Sequence, residues 1–586
     1  MSADALKPRV RYASDQMMHE LVRRLLDAGH LSRAQADDLQ SRSVLAGRPL
    51  DELVISERIV DEEAVLRILS ELSRIPFHHL AEVKIQPDAV RRVPARLALR
   101  HTVFPVSEAR GTITLAVCRV PDVTLVESLR MVLNSAVEWI LCTRPDIAKS
   151  VKHFYGLGVQ SIDGLVENTP DTEIDRSGAD VSIEDDQEGV TRFVNQIIAE
   201  AIRLGATDIH IEPFETELRL RYRVDGMLQN IPIPQGVHKL RRAIASCVKI
   251  MADMNIAERR KTHDGRIKVR LAEDEFDLRV SILPTNYGET VNMRILNRKS
   301  MFIDLEHLGL SERQAPIIAQ LAALPHGVVL LTGPTGSGKT TTLYALLSRI
   351  NRDDVKVITV EDPIEYQMQG INQVQVNAPI GLSFAAVLRS ILRHDPDIIL
   401  IGEIRDRETA DIAVRSSLTG HLVFSTLHTN DAPSAVTRLV DMGIEPYLVS
   451  SCLEGAIAQR LVRRVCPACA EPAECQDVIL EEITAMWPDK VKDAKFQRGR
   501  GCPDCSFTGY HGRIALFEIM VMNDAIRSMV VHNRPSNEIR SVAMQHGLVT
   551  LRRDGWDRVI SGMTTVDEVV RVARKVEGDE GCGNVQ

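Results

Sequence analysis

Apolar residues recur at helical spacing at the front of the chain and at strand spacing further on. Met17 to Ala28 and Arg33 to Ser43 each place apolar side chains on one face, which predicts two amphipathic helices. Gly29 fits the stop of the first, and Ser32 the cap of the second. LDELVISERIVDEEAVLRILSELSRIPF, residues 50–77, has the same helix, break, acidic cap and helix, so the front reads as a weak two-fold repeat. Residues 101–155 read as a small α/β unit, with TITLAV alternating as a strand and Thr124 to Leu133 as a helix. From Val190 the pattern thickens. VTRFVNQIIAEAIRL is amphipathic, and ATDIHIEP, ELRLRYRVDG, RIKVRLAEDEFDLRVSILP and ETVNMRIL alternate as strands, which predicts a mixed α+β domain ending near Leu296. Beyond Leu310, four short apolar runs alternate with helical stretches: HGVVLLTG, VKVITVED, PDIILIGE and HLVFSTLH. That alternation predicts a parallel sheet covered on both faces.

Charge marks one boundary. Residues 167–188 hold nine acidic side chains against one basic, Arg176, with few apolar groups to drive folding, so this stretch reads as a linker. Over the whole chain the balance is 71 − 80 = −9, which argues against a dedicated nucleic-acid coat. No apolar run is long enough for a transmembrane helix and no secretory signal is visible, so a cytoplasmic location is expected.

Candidate chemistry begins with GPTGSGKT, which satisfies G-x-x-x-x-G-K-[ST] between an apolar strand and a helix. Glycines there let backbone N–H groups turn towards phosphate oxygens, and the helix N-terminus adds its positive dipole end. Gly333, Pro334, Thr335, Gly336, Ser337, Gly338, Lys339, Thr340 and Thr341 form the candidate ATP cradle. Lys339 is expected on the β- and γ-phosphates, and Thr340 on Mg²⁺. Hydrolysis also needs a carboxylate at a neighbouring strand end. Glu403, closing DIILIGE, is the choice for positioning or deprotonating water. Glu361, Asp362 and Glu365 follow another strand and suit Mg²⁺ or an ordered water. His428 and His421, at the two ends of HLVFSTLH, are candidates for sensing the γ-phosphate.

A second centre is written in cysteine. Cys466-x-x-Cys469 and Cys502-x-x-Cys505 make a tetrathiolate set for Zn²⁺ or a similar soft cation, with an iron–sulfur cluster and a redox dithiol as the other readings. Cys475 falls outside the pairs and is not expected to be a ligand.

Four blocks in this order, GPTGSGKT, ITVEDPIEYQ, LRHDPDIILIGEIRD and TGHLVFSTLHTN, resemble the ATPases of type II secretion and type IV pilus assembly, general secretion pathway protein E and its relatives. ATDIHIEP, RYRVDG, AERRKTHDGRI and DLRVSILPTNYGETVNMRIL are similar to that family's second N-terminal domain, so the resemblance covers residues 190 to 520. It implies an α/β fold: a RecA-like P-loop core with a preceding α+β domain, a zinc-binding insertion and an N-terminal docking domain. The corresponding segments are 1–157 (docking), 158–188 (acidic linker), 189–297 (α+β), 298–454 (core), 455–515 (tetracysteine) and 516–586 (C-terminal helices). It further implies a homo-hexamer, zinc as the thiolate metal, and a cleft role for Arg279 and Arg294 as charged donors to the γ-phosphate. The expected function is a Mg²⁺-dependent ATPase motor driving pseudopilus or pilus assembly, peripheral at the inner membrane, docked to platform proteins through residues 1–157.

Two other readings compete less well. Some relatives bind cyclic di-GMP through R-L-G-x-x-L-V-x-x-G segments. Here ELVRRLLDAG and PLDELVISER lack the Arg and the first Gly, which argues against that ligand. A nucleic-acid translocase would share the core. Its only support is KLRR, ERRK and RLVRR, which lack the interleaved aromatics that stack bases.

Overall fold

The computed structural model describes residues 12–46, 49–57, 59–93, 95–109, 111–133, 135–155, 186–234, 236–271, 274–297 and 305–575. The acidic linker lies outside the described residues up to position 185; its last three residues instead open the helix Asp186–Arg203. Acidic side chains suit that position, because a helix N-terminus carries partial positive charge. Among the described residues no helix is long and apolar enough to cross a membrane.

The chain divides into two compact units. The front of the first has the predicted repeat. Helices Asp15–Asp27 and Arg33–Ala46 are followed by Leu50–Ser56 and Glu62–Ser73. Ser14 caps the first helix by accepting from the Met17 N–H, which starts it two residues before the expected position. Ser32 Oγ accepts the Gln35 N–H at 3.3 Å, as the predicted cap should. Leu21, Leu25, Leu53, Val54, Leu66 and Leu69 form one core with Ile113, Leu115 and Leu141 of a three-stranded sheet: β1 (Val103–Ala109), β2 (Thr112–Val117) and β3 (Ala136–Leu141). A second sheet has six strands: β4 (Ala206–Pro213), β5 (Leu218–Val224), β6 (Met227–Ile231), β7 (His263–Leu271), β8 (Asp274–Thr285) and β9 (Gly288–Asn297). Their order is β6-β5-β4-β9-β8-β7. The helix Asp186–Arg203 is pinned to it where the buried Tyr222 hydroxyl donates to the Ile197 carbonyl at 2.8 Å.

The second unit is built on a seven-stranded sheet. Its strands are β10 (Gly327–Thr332), β11 (Val357–Glu361), β12 (Asn372–Gln375), β13 (Ile398–Ile401), β14 (Leu422–Leu427), β15 (Leu453–Val465) and, after a separate two-stranded sheet of β16 (Ala470–Pro472) and β17 (Gln497–Gly499), β18 (Tyr510–Val521). The order is β12-β11-β13-β14-β10-β15-β18, parallel except for the last pair. Both faces are covered. Val328 and Leu330 join the core on one face, while Val329 and Leu331 join the core on the other. That is why β10 reads as an unbroken apolar run. This is the RecA-like arrangement expected.

One boundary differs from the sequence reading. Segment 455–515 begins inside β15 and ends inside β18, so only the stretch between these strands forms the cysteine insertion. The first residues of 516–586 likewise belong to β18, and the C-terminal helices begin at Asp524. The small residues Gly455, Ala456 and Ala458 hid a central strand whose β-branched content is low.

Candidate nucleotide site and cysteine centre

The glycine-rich loop leaves the carboxyl end of β10 and enters the helix Lys339–Ile350. Its shape requires glycine. Gly333 has φ +147°, and a Cβ there would lie 2.6 Å from both the Gln459 carbonyl oxygen and Ser337 Oγ. Gly338 precedes the helix at φ +88° and gives it no side-chain cap, which leaves the first-turn N–H groups available to an anion. Thr332 Oγ1 and Ser337 Oγ are buried beside the loop without a hydrogen-bond partner, as donors to phosphate oxygens would be. These features fit a nucleotide triphosphate.

Lys339 Nζ donates to the Gly333 carbonyl at 2.8 Å and the Pro334 carbonyl at 3.0 Å, which brings its ammonium against the loop. Burial pushes its pKa down to about 8; the Glu403 carboxylate works against this, and the Arg460 charge works with it. Thr340 is exposed in the first helical turn, where a hydroxyl can meet a hydrated cation.

Glu403 follows β13, the second strand from β10 across β14. One of its oxygens pairs with Arg405, and the other lies 3.3 Å from His428 Nε2. Burial raises its pKa, but the Arg405 and His428 contacts outweigh it and hold the carboxyl below its ordinary value. A carboxylate kept ionised and 15% exposed beside the phosphate loop can orient or deprotonate water.

Glu361 ends β11 and is 4% exposed. It accepts from the Tyr344 hydroxyl on the loop's own helix, from Thr359 Oγ1 at 2.6 Å and from Gln373 Nε2 at 3.2 Å. Tyr344 also packs edge-on against Tyr366 at 4.4 Å. Glu361 therefore ties the phosphate-binding helix to β11 and β12. Glu365 follows on the same loop and is half-buried.

The structure does not bring His421 to this group. β14 runs parallel to β10, with Leu422 opposite Gly327 and Leu427 opposite Thr332. The Gly327 N–H donates to the His421 carbonyl at 3.1 Å, at the opposite end of the strand from the loop. Six residues of strand separate it from His428, roughly 20 Å. Its ring Nδ1 instead meets the Ser416 carbonyl at 2.8 Å. In the other unit, Arg294 pairs with Asp208 at 3.1 Å, and Arg279 is half-buried on β8.

Two residues near the loop escaped the motif search. Gln459 and Arg460 lie in β15, 1% and 9% exposed. Gln459 Oε1 accepts from Thr342 Oγ1 of the phosphate-binding helix at 2.8 Å. Arg460 Nη2 donates to the Asn430 carbonyl at 3.0 Å and to Asn430 Oδ1 at 3.2 Å, and its Nη1 lies 3.1 Å from the Cβ position of Gly333. Burial lowers the Arg460 pKa. A glutamine–arginine pair inside an apolar strand was the available signal.

The four cysteines converge. Sγ atoms of Cys466, Cys469, Cys502 and Cys505 lie within 4.8 Å of one another, and all four residues are buried. Tetrahedral thiolates at the ordinary zinc–sulfur length would sit roughly 3.8 Å apart; Cys502 and Cys505 are at 3.7 Å. Beside the cluster, Gly499 and Gly509 cross backbone to backbone; a Cβ on Gly499 would meet the Gly509 oxygen at 1.9 Å. Cys475 is outside the group, as expected.

Residues 183–571 match the family described as Type II/IV secretion system protein, and residues 73–161 match the MshEN domain. The chain belongs to the Type II/IV secretion system protein family. It is 39% identical to the type IV pilus assembly ATPase PilB of Myxococcus xanthus, over 93% of this chain and 96% of that one. It is 46% identical to the type II secretion system protein E of Pseudomonas aeruginosa, over 71% and 81%. Identity to the corresponding Xanthomonas campestris protein is 43%, over 82% and 85%. The match to the MshEN domain begins after both ELVRRLLDAG and PLDELVISER.

Proposed function

We propose that this chain is a Mg²⁺-dependent ATPase motor for pseudopilus or pilus assembly, working as a homo-hexamer at the cytoplasmic face of the inner membrane. The observation that carries the reading is the meeting of Lys339, Glu403 and His428 at the carboxyl ends of β10, β13 and β14. In this reading the loop amides and Lys339 hold the phosphates, and Glu403 orients the attacking water. His428 reads the γ-phosphate through its contact with Glu403. Thr340 would hold Mg²⁺, which supplies charge neutralisation on the phosphate oxygens. Glu361 and Glu365 shape the second acidic wall, with Glu361 acting through Tyr344.

Arg279 and Arg294 are proposed as charged donors to the γ-phosphate. The four cysteines would hold a structural zinc ion that ties the insertion to β15 and β18. Residues 1–157 would dock on a membrane platform protein rather than bind cyclic di-GMP. ATP turnover per subunit should rise with protein concentration in the wild type and vanish in Lys339→Ala. Equal turnover in the two proteins would reject the reading.

A further inference from the structure

β18 carries a carboxylate that the hydrolysis scheme does not use. Glu518 is 3% exposed and sits opposite Ala458 on β15. One of its oxygens accepts the Ala432 N–H at 2.9 Å, and the other accepts the Leu551 N–H at 3.2 Å. Each donor belongs to a helix N-terminus. Ala432 caps Pro433–Asp441, the helix that follows the His428 loop. Leu551 is the first residue of Leu551–Ile560 among the C-terminal helices. One anion thus serves two positive helix ends.

The same loop is gripped on its other side. Asp431 pairs with Arg540 of the helix Ser536–Gln545 at 2.8 Å, and Asn430 holds Arg460, which lies against Gly333. The path therefore runs through buried and part-buried contacts from the phosphate loop to the C-terminal helices.

We propose that Glu518 is a positioning residue that couples the C-terminal helices to the His428 loop, and so sets the geometry of hydrolysis without touching the nucleotide. The proposal rests on the ATPase reading and adds to it a point of control. Burial pushes the Glu518 carboxyl up to about 7, with Asp431 adding to the rise and Arg540 and the two N–H donors opposing it. Assays at pH 8 lie above that value and favour the ionised form. Glutamine has the same shape but only one acceptor oxygen, and its amide would aim a donor at one of the two N–H groups. Leucine 551 offers an independent perturbation. It stands at the first helical position after Thr550, whose φ of −68° and ψ of 156° are extended. The backbone admits proline there, which removes the N–H without changing Glu518 but also trims a buried core side chain.

The test compares full-length wild type, Glu518→Gln and Leu551→Pro by steady-state ATPase kinetics and by hydrogen exchange. Loss of one charge-assisted hydrogen bond should lower kcat by about tenfold or more in Glu518→Gln, with KM for ATP within about twofold. Leu551→Pro should lower kcat in the same direction and speed exchange in residues 428–432, although its substitution lies in a different helix. Unchanged exchange at 428–432 in both variants overturns the coupling, whatever the activity. A fall in kcat matched by loss of nucleotide binding also overturns it, because the phosphate loop itself would then be damaged. An inactive wild type rejects the ATPase reading, and the exchange arm still decides the coupling.

Discussion

Tyr344→Phe isolates the contact that ties the phosphate-binding helix to β11. The Tyr344 hydroxyl is buried and donates to Glu361 Oε2. Thr359 and Gln373 both donate to the other oxygen, Oε1. Phenylalanine keeps the ring and its edge-on contact with Tyr366 but leaves Oε2 without this donor. Hydrogen bonds to charged groups contribute about 1.5–3 kcal/mol, so a loss of ~2 kcal/mol is expected. On a urea slope of about 3 kcal/mol per molar, the unfolding midpoint should fall by ~0.7 M. Trp556 reports on this unit because it is fully buried in its core. A background with Trp139 and Trp487 changed to Phe makes its fluorescence specific. A Glu361→Gln variant should lose most of the effect of Tyr344→Phe when the two are combined, since the hydroxyl then meets a neutral amide. A midpoint shift below ~0.2 M for Tyr344→Phe would refute the claim that this hydroxyl anchors Glu361.

Gly333→Ala should abolish nucleotide binding while leaving the rest of the fold intact. Its Cβ would collide with the Gln459 carbonyl and Ser337 Oγ at a φ that alanine avoids, and binding of a fluorescent ATP analogue checks this. Glu568 sets an acid limit. Burial would raise its pKa, but Arg571 and Arg463 outweigh that and hold it at about 2, so its contribution is present above pH ~4.5 and is lost as pH falls towards about 2. Glu568→Gln should therefore cost about 3 kcal/mol at pH 7, and the gap from wild type should close through that acid window in urea titrations. Purified protein should release one zinc ion per chain when its thiols are titrated with a mercurial, and Cys502→Ser should release none and expose the stretch between β15 and β18 to proteolysis.

What was legible in the sequence was local. The phosphate loop, the placing of Glu403 and His428 at strand ends and the convergence of the cysteine pairs are legible because each depends on spacing within a few residues of a strand end or a knuckle. His421 was grouped with His428 because both flank one apolar run, yet a strand separates its two ends by its full length. The grip of Gln459 on Thr342, of Arg460 on Asn430 and of Glu518 on two helices joins residues 30 to 117 positions apart. No spacing rule carries such pairs. The boundary at 455 is hidden for a related reason: the small residues of β15 mask a strand lying between β10 and β18.

In the proposed mechanism Glu403 drives hydrolysis on a nucleotide held by Lys339. Its most direct test is single-turnover ATP hydrolysis by Glu403→Gln beside wild type, with nucleotide affinity measured on both. Affinity should stay within about twofold while the chemical step slows by ~100-fold or more, the scale of a lost general base. Wild-type turnover in Glu403→Gln would rule out this role and move it to the acids at the end of β11.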